Sequence, residues 1–248
     1  MQREERLRSM LELLRSKGFA TVEELSRQFY ISLPTAYRDL RELEREQLII
    51  RSGGGAMPVM AEKAHLPLDF RQVMNVSAKV RIGQGAAALL EPGSVVFLDA
   101  SSTAASMGPF MDPKLDLTVL TNGLLTAVQL REVGIRTYCV GGRLVDNSVA
   151  VCGKLACDVI DQFAIQKLFF SAFGVDGRGV IVDMSETESS LRRYILNMPV
   201  TSVFLCDHSK FGRSSVFHTT PLEMVDYVVT DAPLPPESPR PRREVLVV

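Results

Sequence analysis

The sequence predicts two domains of different class: a small α+β block over residues 1–57, and a larger α/β domain with a mostly parallel sheet over residues 76–232. Three observations carry this. Apolar residues in the first block recur at helical spacing and run into a glycine-rich hairpin. Beyond residue 76, short β-rich runs alternate with helical stretches. Between the two, residues 58–75 hold Pro58 and Pro67, which interrupt any helix and read as a linker. A length of 248 residues suits one or two domains, at ~100–200 residues each.

Composition narrows the class. Hydrophobic residues make up 46% and charged residues 23%, which excludes a disordered, collagenous or coiled-coil chain. No apolar run approaches the ~18 residues of a membrane span. The mixed-charge start leads into no signal-peptide core, so a soluble, cytoplasmic protein with no membrane partner is expected. Cys139, Cys152, Cys157 and Cys206 show no CxxC spacing and read as reduced core residues. His65, His208 and His218 are too scattered for a metal or a triad. No catalytic residue, metal site or cofactor is therefore expected. The net charge is −1, so a nucleic-acid partner must be argued from local pattern.

In the first block, Leu7, Met10, Leu11 and Leu14 share one helix face. Lys17-Gly18 ends that helix. Thr21-Val22-Glu23-Glu24 is a capping box, opening a short helix that buries Leu25 and Phe29. A tight turn at Tyr30-Ile31 follows. Ser32 then caps a third helix, with Pro34 tolerated in its first turn. At ~100° per residue, Leu33, Ala36, Leu40 and Leu43 face inward. Pro34, Arg38, Arg41 and Arg45 cluster opposite, with Tyr37 at the flank. A short helix, a tight turn and an arginine-striped helix form the helix-turn-helix order. Arginine suits it, because its planar fork bridges phosphate oxygens or guanine O6 and N7. A strand over residues 48–51, a Gly53-Gly54-Gly55 tip and a return strand make a wing that brings Arg51 near a phosphate. The competing reading is a helical domain with a solvated charged face: residues 1–56 carry ten basic against nine acidic side chains.

In the second block, five runs end in polar clusters. These are residues 95–98 before Asp99-Ala100-Ser101-Ser102-Thr103, residues 117–120 before Thr121-Asn122-Gly123, and residues 137–140 before Gly141-Gly142-Arg143. Residues 168–170 run to Gly174-Val175-Asp176-Gly177, and residues 203–206 to Asp207-His208-Ser209-Lys210. Near-continuous apolar strands between helices indicate a parallel sheet covered on both faces. Ligands of such sheets lie beyond the carboxyl ends of the strands. Residues 101–103 offer hydroxyls and amides to an anion, Arg143 and Lys210 add positive charge, and Asp99, Asn122, Asp176 and Asp207 accept from hydroxyls. A small hydroxyl-rich anion such as a sugar phosphate fits. The plainer readings are an N-cap, tight turns and a solvated lysine; Glu188 and Arg192, at i and i+4, read as a helix-surface pair. Five prolines within residues 233–241 predict an extended tail, with an edge strand over residues 245–248 as the lesser alternative.

These motifs, in this order, resemble the DeoR family of bacterial transcription regulators from about residue 3 to about residue 232. The resemblance rests on Thr21-Val22-Glu23-Glu24-Leu25, Ser32 to Leu40 and Arg51 to Ala56. In the second block it rests on Lys79 with Ile82, Asp99 to Thr103, Thr121-Asn122, Gly141-Gly142, Gly174 with Asp176, Glu188, and Asp207 to Gly212. It implies a winged helix-turn-helix, followed by a domain similar to ribose-5-phosphate isomerase and glucosamine-6-phosphate deaminase folds. It further implies a repressor of a sugar operon, acting as a dimer or tetramer on operator DNA under a phosphorylated sugar effector. DNA contacts then fall on Thr21, Ser32, Pro34, Thr35, Tyr37, Arg38, Arg41, Arg45 and Arg51. Effector contacts fall on Asp99, Ser101, Ser102, Thr103, Thr121, Asn122, Gly141, Gly142, Arg143, Gly174, Asp176, Glu188 and Lys210. The chain departs from the family pattern at Ala36 and Tyr37, usually isoleucine and arginine; at Gly53, often histidine; and at Ser101, usually glycine. Two rival readings stand beside this one: a sugar-phosphate isomerase or deaminase with a DNA-binding appendage, and a protein-interaction module in the first block.

Overall fold

The computed structural model describes residues 3–45, 48–58, 68–145 and 148–248. The chain divides into two compact units, Met1–Met74 and Asn75–Val248.

The first unit runs α1 (Arg3–Lys17), β1 (Ala20–Thr21), α2 (Val22–Gln28), α3 (Leu33–Arg45), β2 (Ile49–Ser52), β3 (Gly55–Pro58) and α4 (Leu68–Val73). Its core is Met10, Leu14, Leu25, Ala36, Leu40, Leu43 and Ile49. The capping box forms: Thr21 Oγ1 accepts from the Glu24 amide at 3.1 Å, and Glu24 Oε2 accepts from the Thr21 amide at 2.9 Å. Strands β2 and β3 pair antiparallel around Gly53 and Gly54, whose φ angles of +57° and +77° favour glycine. Strand β1 adds to the outer side of β3. Leu33 departs from the inward stripe at 42% exposure. It occupies the first helical position, where the stripe has run out beyond the buried cluster. Its place in the core is taken by a charge: Asp39 is fully buried and accepts from Arg6 Nε on α1 at 2.7 Å. Half of the expected linker, residues 59–67, lies outside the described residues, and residues 68–73 are helical rather than extended.

The second unit opens with α5 (Val76–Ala87) and alternates thereafter: β4 (Val95–Leu98), α6 (Ser102–Ala105), β5 (Thr118–Thr121), α7 (Leu124–Glu132), β6 (Arg136–Cys139). A ribbon of β7 (Arg143–Leu144) and β8 (Val151–Cys152) precedes α8 (Lys154–Ile160) and β9 (Lys167–Phe170). Then come β10 (Gly174–Val175), β11 (Val180–Asp183), α9 (Glu186–Leu196), β12 (Thr201–Cys206), β13 (Phe217–Pro221), β14 (Tyr227–Thr230) and β15 (Glu244–Val247). Seven strands form one sheet in the order β15-β14-β12-β9-β4-β5-β6, and every neighbouring pair is parallel. Phe97, Leu120, Phe170 and Phe204 project to one face, against Ala156 and Ile160 of α8 and Leu191 and Ile195 of α9. Val96, Leu98, Val119, Phe169 and Leu205 project to the other, against Ile82 of α5, Ala104 of α6 and Leu130 of α7. Alternation at a period of two thus builds two cores from one sheet. Strands β10, β11 and β13 form a separate antiparallel sheet. Among the described residues, no helix is long and apolar enough to cross a membrane.

Two expectations are corrected. The tail is not a free extension: β15 pairs parallel with β14, and Leu234 and Pro241 are buried. The prolines lie in a crossover whose Arg242 and Arg243 amides donate to the Val225 and Asp226 carbonyls, and the apolar run after them completes the sheet. Cys139 is exposed and Cys157 half-buried, because β6 is the opposite sheet edge and α8 turns its outer flank to solvent. Leu246 packs on the second core cluster from β15, so Leu246→Asp should lower the unfolding free energy by about 2 kcal/mol. Urea denaturation measures this, and an unchanged midpoint would show that the strand adds nothing.

Candidate functional site

Each unit carries one candidate site. On α3, Ser32 Oγ receives the Thr35 amide at 3.4 Å and lies 3.0 Å from its hydroxyl. Thr35 is half-buried, while Ser32, Pro34, Tyr37, Arg38, Arg41 and Arg45 are exposed. The acids of this helix are drawn elsewhere. Asp39 pairs with Arg6, Glu42 with Arg3, and Glu44 with Arg51. The hydrogen bond and charge of Asp39 hold the Arg6 guanidinium above its ordinary pKa despite some burial. Arg38, Arg41 and Arg45 make no ion pair among the described residues. A block that is nearly neutral in total therefore presents three exposed arginines on one helix. Arg51, expected as a free phosphate contact, is half-buried, 3.5 Å from Glu44 and 5.7 Å from the Tyr37 ring centroid. Tyr37 thus takes a stacking role where the family carries arginine. Thr21 is committed to the cap of α2.

The second site lies at the carboxyl edge of the large sheet. Asp99 follows β4 and is buried. Its Oδ1 accepts from the Ser101 amide at 3.0 Å, and its Oδ2 from the Ser171 amide at 3.3 Å and from Arg192 Nε at 2.8 Å. Arg192 Nη1 reaches Asp183 Oδ2 at 2.5 Å. Burial pushes the Asp183 carboxyl above its ordinary range, opposed by Arg192. Burial alone would lower the Arg192 pKa, but Asp183 and Asp99 raise it further. Asn122 Oδ1 accepts from the Ala100 amide at 3.0 Å, and Thr121 Oγ1 from the Gly123 amide at 3.0 Å. Glu188 accepts from Ser148 Oγ at 2.9 Å. Asp99, Asn122, Glu188 and Arg192 line one cavity of about 10 Å³, the room of about one water.

Ser101 is the N-cap of α6, accepting from the Ala104 amide at 3.1 Å. Its φ of −72° and ψ of 146° are open to any residue, so a side chain in place of the family's glycine strains nothing. Ser102 and Thr103 are buried, and Thr103 Oγ1 has no hydrogen-bond partner. Lys210 is half-buried and donates to Ser171 Oγ at 2.6 Å and to the Ala172 carbonyl at 2.8 Å. Ser171 therefore joins Lys210 to Asp99. Burial works to raise the Asp207 pKa, but Lys210, the Ser209 hydrogen bonds and Lys79 outweigh it and hold the carboxyl low.

Other expected residues stand apart or act indirectly. Asp176 Oδ1 accepts from the Arg178 and Val180 amides, both at 2.9 Å, so it ties its own turn. Gly174 lets the next loop approach: a Cβ there would lie 2.8 Å from the Lys210 carbonyl. Gly142, at φ +136°, likewise admits the Cys152 backbone, while Gly141 meets open space. Arg143 is exposed.

The reading of Glu188 and Arg192 as a surface pair is overturned, since they are 3% and 5% exposed. Their spacing held the signal: Glu188, Leu191, Arg192 and Ile195 fall at i, i+3, i+4 and i+7, the inward face of α9. No local motif marks Arg192, Asp183 and Ser171 as site residues, because they meet Asp99 and one another only across separate elements. Arg192→Met leaves two buried carboxylates uncompensated and should destabilise the fold by about 3–5 kcal/mol. A denaturation midpoint equal to wild type would contradict the buried network.

Comparison with known proteins gives the same two-part division. The DeoR-like helix-turn-helix domain matches residues 6–60, and the DeoR C terminal sensor domain matches residues 74–232. Transcriptional repressor AccR of Agrobacterium fabrum is 34% identical over 231 residues, 92% of this chain and 90% of its own. The glycerol-3-phosphate regulon repressor of Escherichia coli is 30% identical over 237 residues, 95% of this chain and 93% of its own. A solved D-ribose-5-phosphate isomerase in complex with phospho-erythronic acid aligns with 54% of this chain and 52% of its own, at 17% identity and a TM-score of 0.40. The domain matches and the full-length relatives make this chain a member of the DeoR family, with a DeoR-like helix-turn-helix domain ahead of a DeoR sensor domain.

Proposed function

We propose that this protein is a transcriptional repressor of genes for carbohydrate use, released from its operator by a phosphorylated sugar or polyol. The observation that carries the DNA half is the segregation of charge on α3. Its acids pair with Arg3, Arg6 and Arg51, and Arg38, Arg41 and Arg45 are left to the solvent. Phosphate contacts from such a face supply affinity, and base-edge contacts supply specificity. Two or four copies of the chain would set paired recognition helices on half-sites about 34–36 Å apart, or multiples of that.

The sensing half rests on what gathers at one sheet edge: Lys210, the hydroxyls of residues 101–103, and the acceptors Asn122 and Glu188. The names of the relatives support this class of effector, since one of them governs a glycerol-3-phosphate regulon. Ser102 and Thr103 are buried, and Lys210 is tied to Ser171 and to the Ala172 carbonyl. A sugar phosphate therefore has to open the edge to enter, which would supply the differential affinity between two states that control requires. Asp99 is held by Arg192 and by the Ser101 and Ser171 amides. It acts as a strut of the loop rather than as a free proton carrier, and this favours sensing over isomerase chemistry.

Operator duplexes selected from a random pool test the first half. Arg38→Ala should weaken binding by about 1–3 kcal/mol if it reads a base edge, and Arg45→Ala should lower the salt slope by about one. Unchanged affinity and slope in both would remove α3 from the interface. A thermal-shift screen with sugar phosphates and the matching unphosphorylated sugars tests the second half. A phosphate at about 100 times its Kd should stabilise the fold by about 2.7 kcal/mol, and its partner sugar should not. Lys210→Ala should abolish release from the duplex while DNA affinity survives. A release midpoint equal to wild type would exclude Lys210 from the effector site.

A further inference from the structure

The first turn of α5 touches both halves of the sheet edge. Asn75 caps this helix in the left-handed region, at φ 51° and ψ 36°, and gives its own helix no side-chain bond. An N-cap side chain ordinarily accepts from the second or third helical amide. Here the amide group turns away: Nδ2 donates to Asp207 Oδ1 at 3.0 Å and to Ser209 Oγ at 2.9 Å. On the other side, Ser106, which closes α6, donates to the Lys79 carbonyl at 2.7 Å. Gly83 stands so close to Ser106 that a Cβ would lie 2.4 Å from its carbonyl oxygen. Helix α5 is thus held both by the loop that carries Lys210 and by the short helix that follows the hydroxyl loop. Asn75 is also the first residue of the second unit, bonded directly to Met74 of the first.

We propose that Asn75 is a positioning residue that couples the state of the 207–210 loop to the segment leading into the helix-turn-helix unit. The proposal rests on the reading of the sheet edge as the sensor. Asp207 caps the turn His208–Lys210 by accepting from the Ser209 amide, so this loop moves as one piece. A phosphate that draws Lys210 from Ser171 and the Ala172 carbonyl displaces Asp207 and Ser209 with it. These are the two acceptors of Asn75. The latch is then made in one state and broken in the other, which is the two-state element that coupling between sites requires.

Asn75→Asp and Asn75→Gly test this in the full chain. The first keeps the shape and turns a donor into a carboxylate facing Asp207. The second removes the amide and accepts the left-handed backbone without strain. Ser209→Ala removes one acceptor from the far end and serves should either Asn75 variant fail to fold. Binding to the selected duplex, and release from it, are titrated with glycerol 3-phosphate, glucose 6-phosphate, fructose 1-phosphate and inorganic phosphate. Calorimetry with the same compounds reads ligand affinity separately. The latch bonds hold the ligand-free state, so losing them should lower the release midpoint by about tenfold or more, with the ligand bound more tightly and the duplex no more tightly than in wild type. That combination is one that a merely structural residue does not produce. Release midpoints equal to wild type overturn the latch, and so does a loss of ligand binding in parallel with release. A wild-type chain that binds none of the four compounds overturns the sensor reading, and the latch with it.

Discussion

A single buried guanidinium organises the sheet edge. Arg192 lies between Asp99 and Asp183, all three out of water. Burying such charges costs more than an apolar core of equal volume would, so the arrangement is best understood through what it positions. Asp99 cannot turn away from Arg192, and its remaining contacts fix the amides of Ser101 and Ser171. Ser101 in turn starts α6, and Ser171 receives Lys210. The hydroxyl loop and the cation, which come from strands far apart in the chain, are thereby held against one reference point. Helix α9 delivers that point because its inward stripe alternates leucine and isoleucine with glutamate and arginine.

The same economy of charge shapes the first unit. Asp39 ties α3 to α1 through Arg6 inside the fold, and Glu42 and Glu44 are occupied by Arg3 and Arg51. What reaches solvent from the middle of α3 is arginine. Net charge is therefore a poor guide to this surface, since equal numbers of opposite charges are sorted by face. The stacking of Arg51 on Tyr37 adds to the sorting. It turns one departure from the family pattern into a contact between wing and helix, at the cost of a free cation.

Much of the architecture was legible from local pattern. The helix periods, the capping box, the glycine pair of the wing and the apolar runs of five parallel strands are consequences of neighbours within one turn or one strand. The carboxyl-edge clustering was legible too, because parallel strands joined by helices must all end on the same side. Position on that edge did not settle use. Asp176 accepts from amides of its own turn, and Gly174 leaves room for the Lys210 carbonyl.

The sequence by itself determined the two domain classes, the strand direction and the side on which the polar strand ends gather, since each follows from periodicity and connectivity. Tertiary structure alone decided which partner each buried charge meets, which acids are already paired and where the tail goes. Arg192 meets an aspartate 93 residues away, and Asn75 one 132 residues away. The strand Glu244–Val247 finds its partner only after a proline-rich crossover. Pairing depends on what stands opposite in space, and no spacing along the chain carries that information.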